Sequence, residues 1–357
     1  MRFSEILGQE MAIRTLQRSI RGEAISHAYL FAGLEGIGKY TTALAFAAAI
    51  NCEDSPESGE SCGQCVQCRM IESRHHPDIQ SFTPTGKGEE TGIDQMREMR
   101  HMAQFPPLRG KWKVNILERA ETLNDEAASC ILKLVEEPPP FVIQILIATN
   151  PAAMLPTIRS RCQLVRFRAM PARDLQNALI ERYGADPERA EFLASLSEGR
   201  PGRAISLLGD DDFFGRRDTI IALANRTIDE QIAAALNISE ELRKLAVPKT
   251  PPPEDETEDE DAEETTQSKT KVKRSDLCRV LDVLLLWYRD LLAVKIRGNE
   301  APVVNLDKRA LVIEHAAQCK LGYLRDSLRT VTDAKRYLEG NANVHLVSDV
   351  LAMRLMS

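Results

Sequence analysis

The chain has 357 residues, of which 43% are apolar and 28% are charged, so it has ample material for a folded core and about two or three domains. Its formal charge of −7 is concentrated in one segment, because nine acids lie within the eleven residues 254–264 and the charge without them is +2. A nearly neutral body argues against a stand-alone DNA-coating protein, which needs a basic stripe to displace counterions.

The beginning of the chain does not resemble an export signal. Glu5 and Glu10 lie where a secretory peptide needs an apolar core. The longest apolar run, Ala43–Ile50, is far shorter than the ~20 residues that span a bilayer. We therefore predict a soluble, cytoplasmic protein with no membrane partner.

Short β-type runs alternate with helical ones from the start to about Gln163, which is typical of an α/β domain. The strongest predicted strands are 28–32, 114–117 and 141–148, and a helix is predicted over 41–50. The last two strands are apolar with little alternation, as expected of central parallel strands buried on both faces. We predict that this domain spans residues 1–170.

The strand signal disappears after Pro171. Short helices opened by prolines predict a small helical domain over 171–210, and longer amphipathic helices, such as 277–296 and 308–327, predict an all-α domain over 211–357. An acidic, proline-containing insertion at 248–274 has almost no large apolar residue, so we predict that it is disordered. A solvated loop is favoured there over an interaction tail.

A glycine-rich loop lies between the first predicted strand and the first long helix. Its backbone N–H groups can surround a phosphate and its lysine can reach the outer phosphates; the candidate binding residues are Gly33, Gly36, Gly38, Lys39 and Thr41. The alternative is a glycine turn that merely joins a strand to a helix. The residue after Lys39 should be Ser or Thr to bind the magnesium of ATP, but it is Tyr40, and Thr41 comes one residue late. Phosphate binding stays open, whereas magnesium placement should suffer.

The strand predicted at 114–117 should end in two acids, one for magnesium and one to orient the attacking water. Glu118 can replace the first acid in part, but Arg119 occupies the place of the second and cannot act as a base. Because two independent functions of an ATP site are lost, we expect no autonomous ATP hydrolysis, and ATP and magnesium are doubtful cofactors.

Four of the eight cysteines crowd into one short segment as Cys52, Cys62, Cys65 and Cys68. Two Cys-x-x-Cys steps share Cys65, and such steps let thiolates converge on one ion, so we predict a structural Zn²⁺ site. Three alternatives stay open: an iron–sulfur cluster, although the expected Cys-Pro does not follow; a site in which His75 or His76 replaces Cys52; and unliganded thiols.

An ordered set of further motifs is more specific than any one of them. The motifs are SHAYLFAG before the glycine loop, the inserted cysteines, HHPDI from residue 75, ILKLVEEPP at 131–139, ATN at 148–150 and SRC at 160–162. Together they resemble the delta-prime family of clamp-loader subunits of bacterial DNA polymerase III, which are AAA+ proteins. The resemblance covers about the first 210 residues motif by motif and the rest by architecture.

The resemblance implies an AAA+ P-loop domain with a parallel sheet and a zinc-binding insertion at about 52–68, a helical lid domain and a helical collar domain. It implies a non-hydrolysing stator of the polymerase holoenzyme, with tau or gamma and delta subunits as partners and with the sliding clamp and primer-template DNA as indirect substrates, in a nucleoid-associated replisome. Arg161, with Ser160 and Cys162 of the same motif, would supply an arginine finger to a neighbouring ATPase subunit.

The resemblance also marks positions where this chain departs from motor subunits. Their nucleotide-contacting arginine aligns with Gly202, although the adjacent Arg203 could compensate, and Thr149 and Asn150 match a polar sensor position. The acidic insertion is not part of the family pattern. One rival interpretation is an ATP-hydrolysing motor of the tau/gamma type or another AAA+ ATPase, which the retained Lys39 favours; another is a zinc-stabilised DNA-binding protein, which the neutral body opposes.

Overall fold

The structure is a computed structural model that describes residues 1–22, 24–54, 59–84, 93–210, 212–229, 232–246, 274–340 and 342–356. The predicted acidic insertion at 248–274 lies outside the described residues except for Arg274, the first residue of a helix.

Five strands and fifteen α-helices are assigned within the described ranges. The strands are β1 (Ala28–Ala32), β2 (Ile79–Phe82), β3 (Lys113–Leu117), β4 (Val142–Ala148) and β5 (Gln163–Arg166). The helices before residue 210 are α1 (Glu10–Arg21), α2 (Lys39–Asn51), α3 (Val66–Glu72), α4 (Ile93–Ala103), α5 (Asp125–Glu136), α6 (Pro156–Arg159), α7 (Ala172–Tyr183), α8 (Pro187–Leu196) and α9 (Pro201–Leu208). Those after it are α10 (Phe213–Asp229), α11 (Ala235–Ala246), α12 (Arg274–Arg297), α13 (Arg309–Gln318), α14 (Leu321–Glu339) and α15 (Val344–Leu355).

The strands form one parallel sheet in the order β2-β3-β4-β1-β5. Alternate residues of the central strands enter two different cores: Tyr29 and Phe31 pack with α2 on one face, and Leu30 packs with α5 on the other. Every residue of β1, β3 and β4 is buried, as expected when helices cover both faces of a parallel sheet. The α/β prediction is confirmed.

The three strongest predicted strands correspond to β1, β3 and β4 with shifts of one residue at most. The edge strands β2 and β5 were not predicted, because their side chains are mostly exposed or half-buried and carry no continuous apolar signal. The single helix predicted over 308–327 was wrong: it is divided into α13 and α14, since Cys319 and Lys320 adopt extended backbone conformations. Neither residue is a glycine or proline, so no helix-stop signal marked the break.

The chain divides into two compact units. The first comprises Met1–Ala185 and Ser197–Ser206, and the second comprises Asp186–Leu196 and Leu207–Ser357. The predicted division at residues 170 and 210 stays a prediction.

Every element assigned among the described residues of the second unit is a helix, and α12 lies at its centre, with α10, α11, α13 and α14 packed against it. Trp287 and Tyr288 of α12 are fully buried. No helix of the described ranges combines the length and the apolar character needed to cross a lipid bilayer.

Candidate functional site

The glycine loop connects β1 to α2, where the sequence predicted a phosphate site. Gly36 and Gly38 have φ values of 72° and 100°, in the left-handed region that glycine adopts without strain. Lys39 begins α2, and its Nζ donates hydrogen bonds to the carbonyl oxygens of Gly33 and of Leu34, the latter at 2.7 Å. The lysine therefore contacts the backbone of its own loop.

Lys39 is only 6% exposed, and burial lowers the pKa of its ammonium group, while the nearby Glu121, Glu35 and Glu118 act in the opposite direction. Thr41, the other candidate side chain, is exposed on α2, whereas Thr42 is buried and its hydroxyl donates to the Gly38 carbonyl at 2.7 Å. The first turn of α2 thus bonds to carbonyl oxygens of the loop through the side chains of Lys39 and Thr42.

Tyr40 takes part in a separate set of contacts. Its hydroxyl lies 3.0 Å from Ser81 Oγ on β2, and the Arg74 guanidinium lies over its ring at 5.6 Å from the centroid. Arg74 has a φ of 62°, an uncommon conformation for a residue with a side chain. The phenol that replaces the magnesium-binding hydroxyl thus joins α2 to β2, and no sequence motif pointed to Arg74.

The acid expected to hold magnesium lies at the carboxyl end of β3. Burial raises the pKa of Glu118, whose Oε1 accepts a hydrogen bond from Thr83 Oγ1 at 3.4 Å. Arg119, at the position of the second acid, has a φ of 51°. Beyond β4, the Thr149 N–H donates to Glu121, and Asn150 Oδ1 accepts from the Ala152 N–H to cap a short 3₁₀ helix.

Gly202, which the resemblance aligns with a nucleotide-contacting arginine of motor subunits, lies directly against the glycine loop. Its N–H donates to the Gly36 carbonyl at 2.9 Å. A Cβ atom at position 202 would lie only 2.9 Å from that same oxygen, so any side chain here requires the backbone to move. The close approach of α9 to the loop explains why position 202 is a glycine.

The four predicted metal ligands converge, and we call them the cysteine cluster. The Sγ atoms of Cys52, Cys62, Cys65 and Cys68 all lie within 4.8 Å of one another. The Cys52–Cys65 and Cys62–Cys68 sulfur separations are 4.0 and 3.9 Å, too long for disulfides and close to the ~3.8 Å edge of a tetrahedron with Zn–S bonds of ~2.3 Å.

The chemistry of this donor set also suits a metal. The backbone N–H groups of Gln64 and Cys65 donate to the Cys62 sulfur and lower its pKa to about 6, which favours the thiolate that binds metal. Burial raises the pKa of Cys52 and of Cys68, so binding of an ion there would have to displace their protons. His76 is engaged elsewhere, because its ring nitrogens contact Gln67 Oε1 and the Asp78 N–H. The residues present therefore fit a four-thiolate site without a histidine.

The Ser-Arg-Cys segment lies between α6 and β5. Arg161 is 42% exposed, and its guanidinium contacts Glu136 Oε1 at 2.8 Å and the Thr157 carbonyl at 3.0 Å. Ser160 Oγ donates to the same carbonyl. Burial raises the pKa of Cys162 to about 12, so this thiol is inert.

Arg161 and the glycine loop lie at opposite ends of the sheet. Tyr29, near the start of β1, pairs with Gln163, which comes two residues after Arg161. Ala32, at the end of β1 and directly before Gly33, pairs with Arg166. The four residue steps from Tyr29 to Gly33 correspond to about 13 Å along the strand at ~3.3 Å per residue. The guanidinium is therefore presented away from the chain's own phosphate loop.

Comparisons with known proteins give the following similarities. A family model described as "DNA polymerase III, delta subunit" matches residues 8–171. The chain is 28% identical to DNA polymerase III subunit delta' of Bacillus subtilis over 347 residues, which cover 97% of this chain and 96% of the relative. It is 29% identical to subunit tau of the same organism over 82% of this chain, but spans only 50% of that relative. A gamma-subunit-related protein of Thermotoga maritima aligns with a TM-score of 0.42 and 15% identity, covering 96% of this chain and 98% of that one.

Proposed function

We propose that this chain is a clamp-loader subunit of DNA polymerase III and acts there as a delta-prime-like stator that supplies an arginine finger to a neighbouring ATPase subunit. In this role it helps to load the sliding clamp onto primed DNA during replication. The observation that carries the proposal is the exposed Arg161 guanidinium at the end of the sheet opposite the chain's own glycine loop.

Three features support a stator rather than a motor. Tyr40 contacts Ser81 instead of offering a short hydroxyl, Arg119 replaces an acid, and Gly202 leaves no space for a side chain beside the loop. Lys39 and the tau relative favour the rival motor function, but the Lys39 ammonium contacts loop carbonyls. We expect no ATP turnover by the isolated chain.

The cysteine cluster supports a structural zinc ion held by all four thiolates. Such an ion would offset half of the thiolates' negative charge and cross-link the insertion, and a four-thiolate site leaves no open position for catalysis. The surrounding hydrogen bonds connect this insertion to the start of the chain: Ser61 Oγ donates to the Met1 carbonyl at 2.9 Å, and the Arg2 guanidinium donates to the Cys62 carbonyl. The proposed role of the zinc ion is to hold the insertion against the α/β core.

The relatives also support the partners. The proposed assembly is a hetero-oligomer with tau or gamma and delta subunits in a cytoplasmic replisome, in which DNA and the sliding clamp are engaged mainly through other subunits. Outside residues 254–264 the chain has a formal charge of only +2, which does not favour strong DNA binding by this chain alone.

The test is the DNA-stimulated ATPase activity of a reconstituted loader. The loader is assembled with motor subunits that lack their own finger arginines, so its ATP turnover depends on Arg161 of this chain. Arg161→Ala should lower that turnover by ~10³- to 10⁵-fold at equal assembly, because the charge that stabilises the transferred phosphoryl group is lost. Arg161→Lys should rescue it poorly, since an ammonium group lacks the planar fork.

The matched control is Arg159→Ala. Arg159 is also exposed and lies two residues earlier on the same segment, so its replacement removes an equal charge nearby. The loader that carries Arg159→Ala should turn over ATP at the wild-type rate. Equal rates for wild type and Arg161→Ala, at equal assembly, would exclude the finger and leave the subunit a purely structural part.

A further inference from the structure

The proposed finger is held at both of its terminal nitrogens. Arg161 Nη2 lies 2.8 Å from Glu136 Oε1, and Nη1 donates to the Thr157 carbonyl at 3.0 Å. A guanidinium has five N–H donors, so these two contacts leave three for phosphate oxygens. The contacts thus fix the plane of the guanidinium without exhausting its capacity to bind an anion.

Glu136 is itself well placed to fix a flexible side chain. It is the last residue of α5, directly after Leu134 and Val135, which are 5% and 2% exposed in the core under the sheet. The chain leaves the helix at Glu137 and enters Pro138-Pro139, which restricts the backbone at this end. The carboxylate is therefore carried on a packed element rather than on a loose loop.

The position of Glu136 is not explained by helix stability. A negative charge in the last turn of a helix opposes the helix dipole and is mildly unfavourable. An exposed ion pair, here 42% and 39% exposed on its two partners, also contributes little to folding. The geometry of the pair consequently matters more for the orientation of Arg161 than for the stability of the fold.

We infer that Glu136 is a positioning residue for the Arg161 finger, a role that rests on the function proposed above. It limits the rotamers of a long side chain so that the three remaining N–H groups are presented outward to the phosphates of the neighbouring subunit. If Glu136 instead held the arginine back from the neighbouring site, replacing Glu136 would raise ATP turnover.

Glu136→Gln in the same finger-dependent loader tests this role. Turnover should fall by about 10-fold in kcat with little change in KM, because a misplacement of ~1 Å in a catalytic group can cost ~10²-fold and the Thr157 contact is retained. Glu136→Asp, which keeps the charge on a shorter side chain, should give an intermediate rate. Glu137→Gln, the loss of another exposed acid one residue later, should leave the rate unchanged.

A double variant separates this role from a structural one. In an Arg161→Ala background, Glu136→Gln should cost nothing further, whereas damage to the fold would add to the loss. If Arg161→Ala is impaired but Glu136→Gln is equal to or faster than wild type, the positioning role is refuted and the finger stands. If Arg161→Ala has no effect, both proposals fail.

Discussion

Replacing Cys65 by serine removes one of four sulfur ligands and should release the metal from the cysteine cluster. A closed four-ligand site has no redundant donor, and Cys65 takes part in both Cys-x-x-Cys steps. The purified wild-type protein should contain about one zinc per chain, and Cys65→Ser should contain close to none.

The size of the stability loss follows from what the insertion contacts. Three hydrogen bonds join it to the first residues of the chain: Ser61 Oγ to the Met1 carbonyl, the Phe3 N–H to Glu60, and Arg2 to the Cys62 carbonyl. At ~1 kcal/mol each these contribute about 3 kcal/mol. Phe3 is 1% exposed, and its partial release adds up to ~2 kcal/mol. We therefore expect the first unit to lose about 3 to 5 kcal/mol on metal loss.

Metal analysis and urea unfolding of the first unit provide the assay, with a chelator added to the wild type as an independent route to the metal-free state. Cys130→Ser is the control, because Cys130 lies on α5 outside the cluster and its loss should leave the metal in place. Zinc retained by Cys65→Ser, a metal-free wild type or a coloured iron species would refute the four-thiolate zinc site.

Two further predictions concern the first unit. Lys39→Ala should leave the ATP turnover of the isolated chain at background, as in wild type; turnover that Lys39→Ala abolishes would favour the motor function instead. Asp78→Asn should destabilise the unit by about 2 to 4 kcal/mol at pH 7. The fully buried carboxylate accepts three N–H groups at residues 108–110 at 2.7 to 2.8 Å, and the amide keeps only one acceptor oxygen, so at least one bond to a charged acceptor, worth ~1.5 to 3 kcal/mol, is lost and the others are weakened. Burial acts to raise the pKa of Asp78 but the three donors outweigh it, so the folded-state pKa is lowered and this stabilisation should fade as the pH falls below the ordinary value of 3.8. Urea titrations of wild type, Asp78→Asn and the exposed control Asp94→Asn should show this, and equal stability of the first two at pH 7 would contradict it.

Local patterns in the sequence were sufficient where the relevant groups are neighbours along the chain. The cysteine cluster could be predicted because three of its ligands lie within seven residues, and the central strands because burial on both faces makes them continuously apolar. The edge strands β2 and β5 carry polar residues on an accessible surface and give no such pattern.

Local sequence patterns could not predict contacts between residues that are distant along the chain. The Arg161–Glu136 pair joins residues 25 positions apart and depends on the end of α5 meeting the turn before β5. The contact of Gly202 with Gly36 likewise depends on the approach of α9 to the glycine loop. Sequence reasoning identified the departures at positions 40 and 202, but only the folded chain gives the contacts that the replacement residues make.

Those replacement contacts bear on how a stator can work. In a motor subunit the loop must open to nucleotide, so its polar groups are satisfied by the ligand. In this chain Lys39 contacts loop carbonyls, Tyr40 contacts Ser81, and Gly202 donates to Gly36, so the lysine, the phenol and a loop carbonyl have partners within the protein itself. These contacts hold the loop through the chain's own groups. A unit whose structure is independent of nucleotide can present Arg161 in one orientation through every cycle of its neighbour, which is what the proposed role requires.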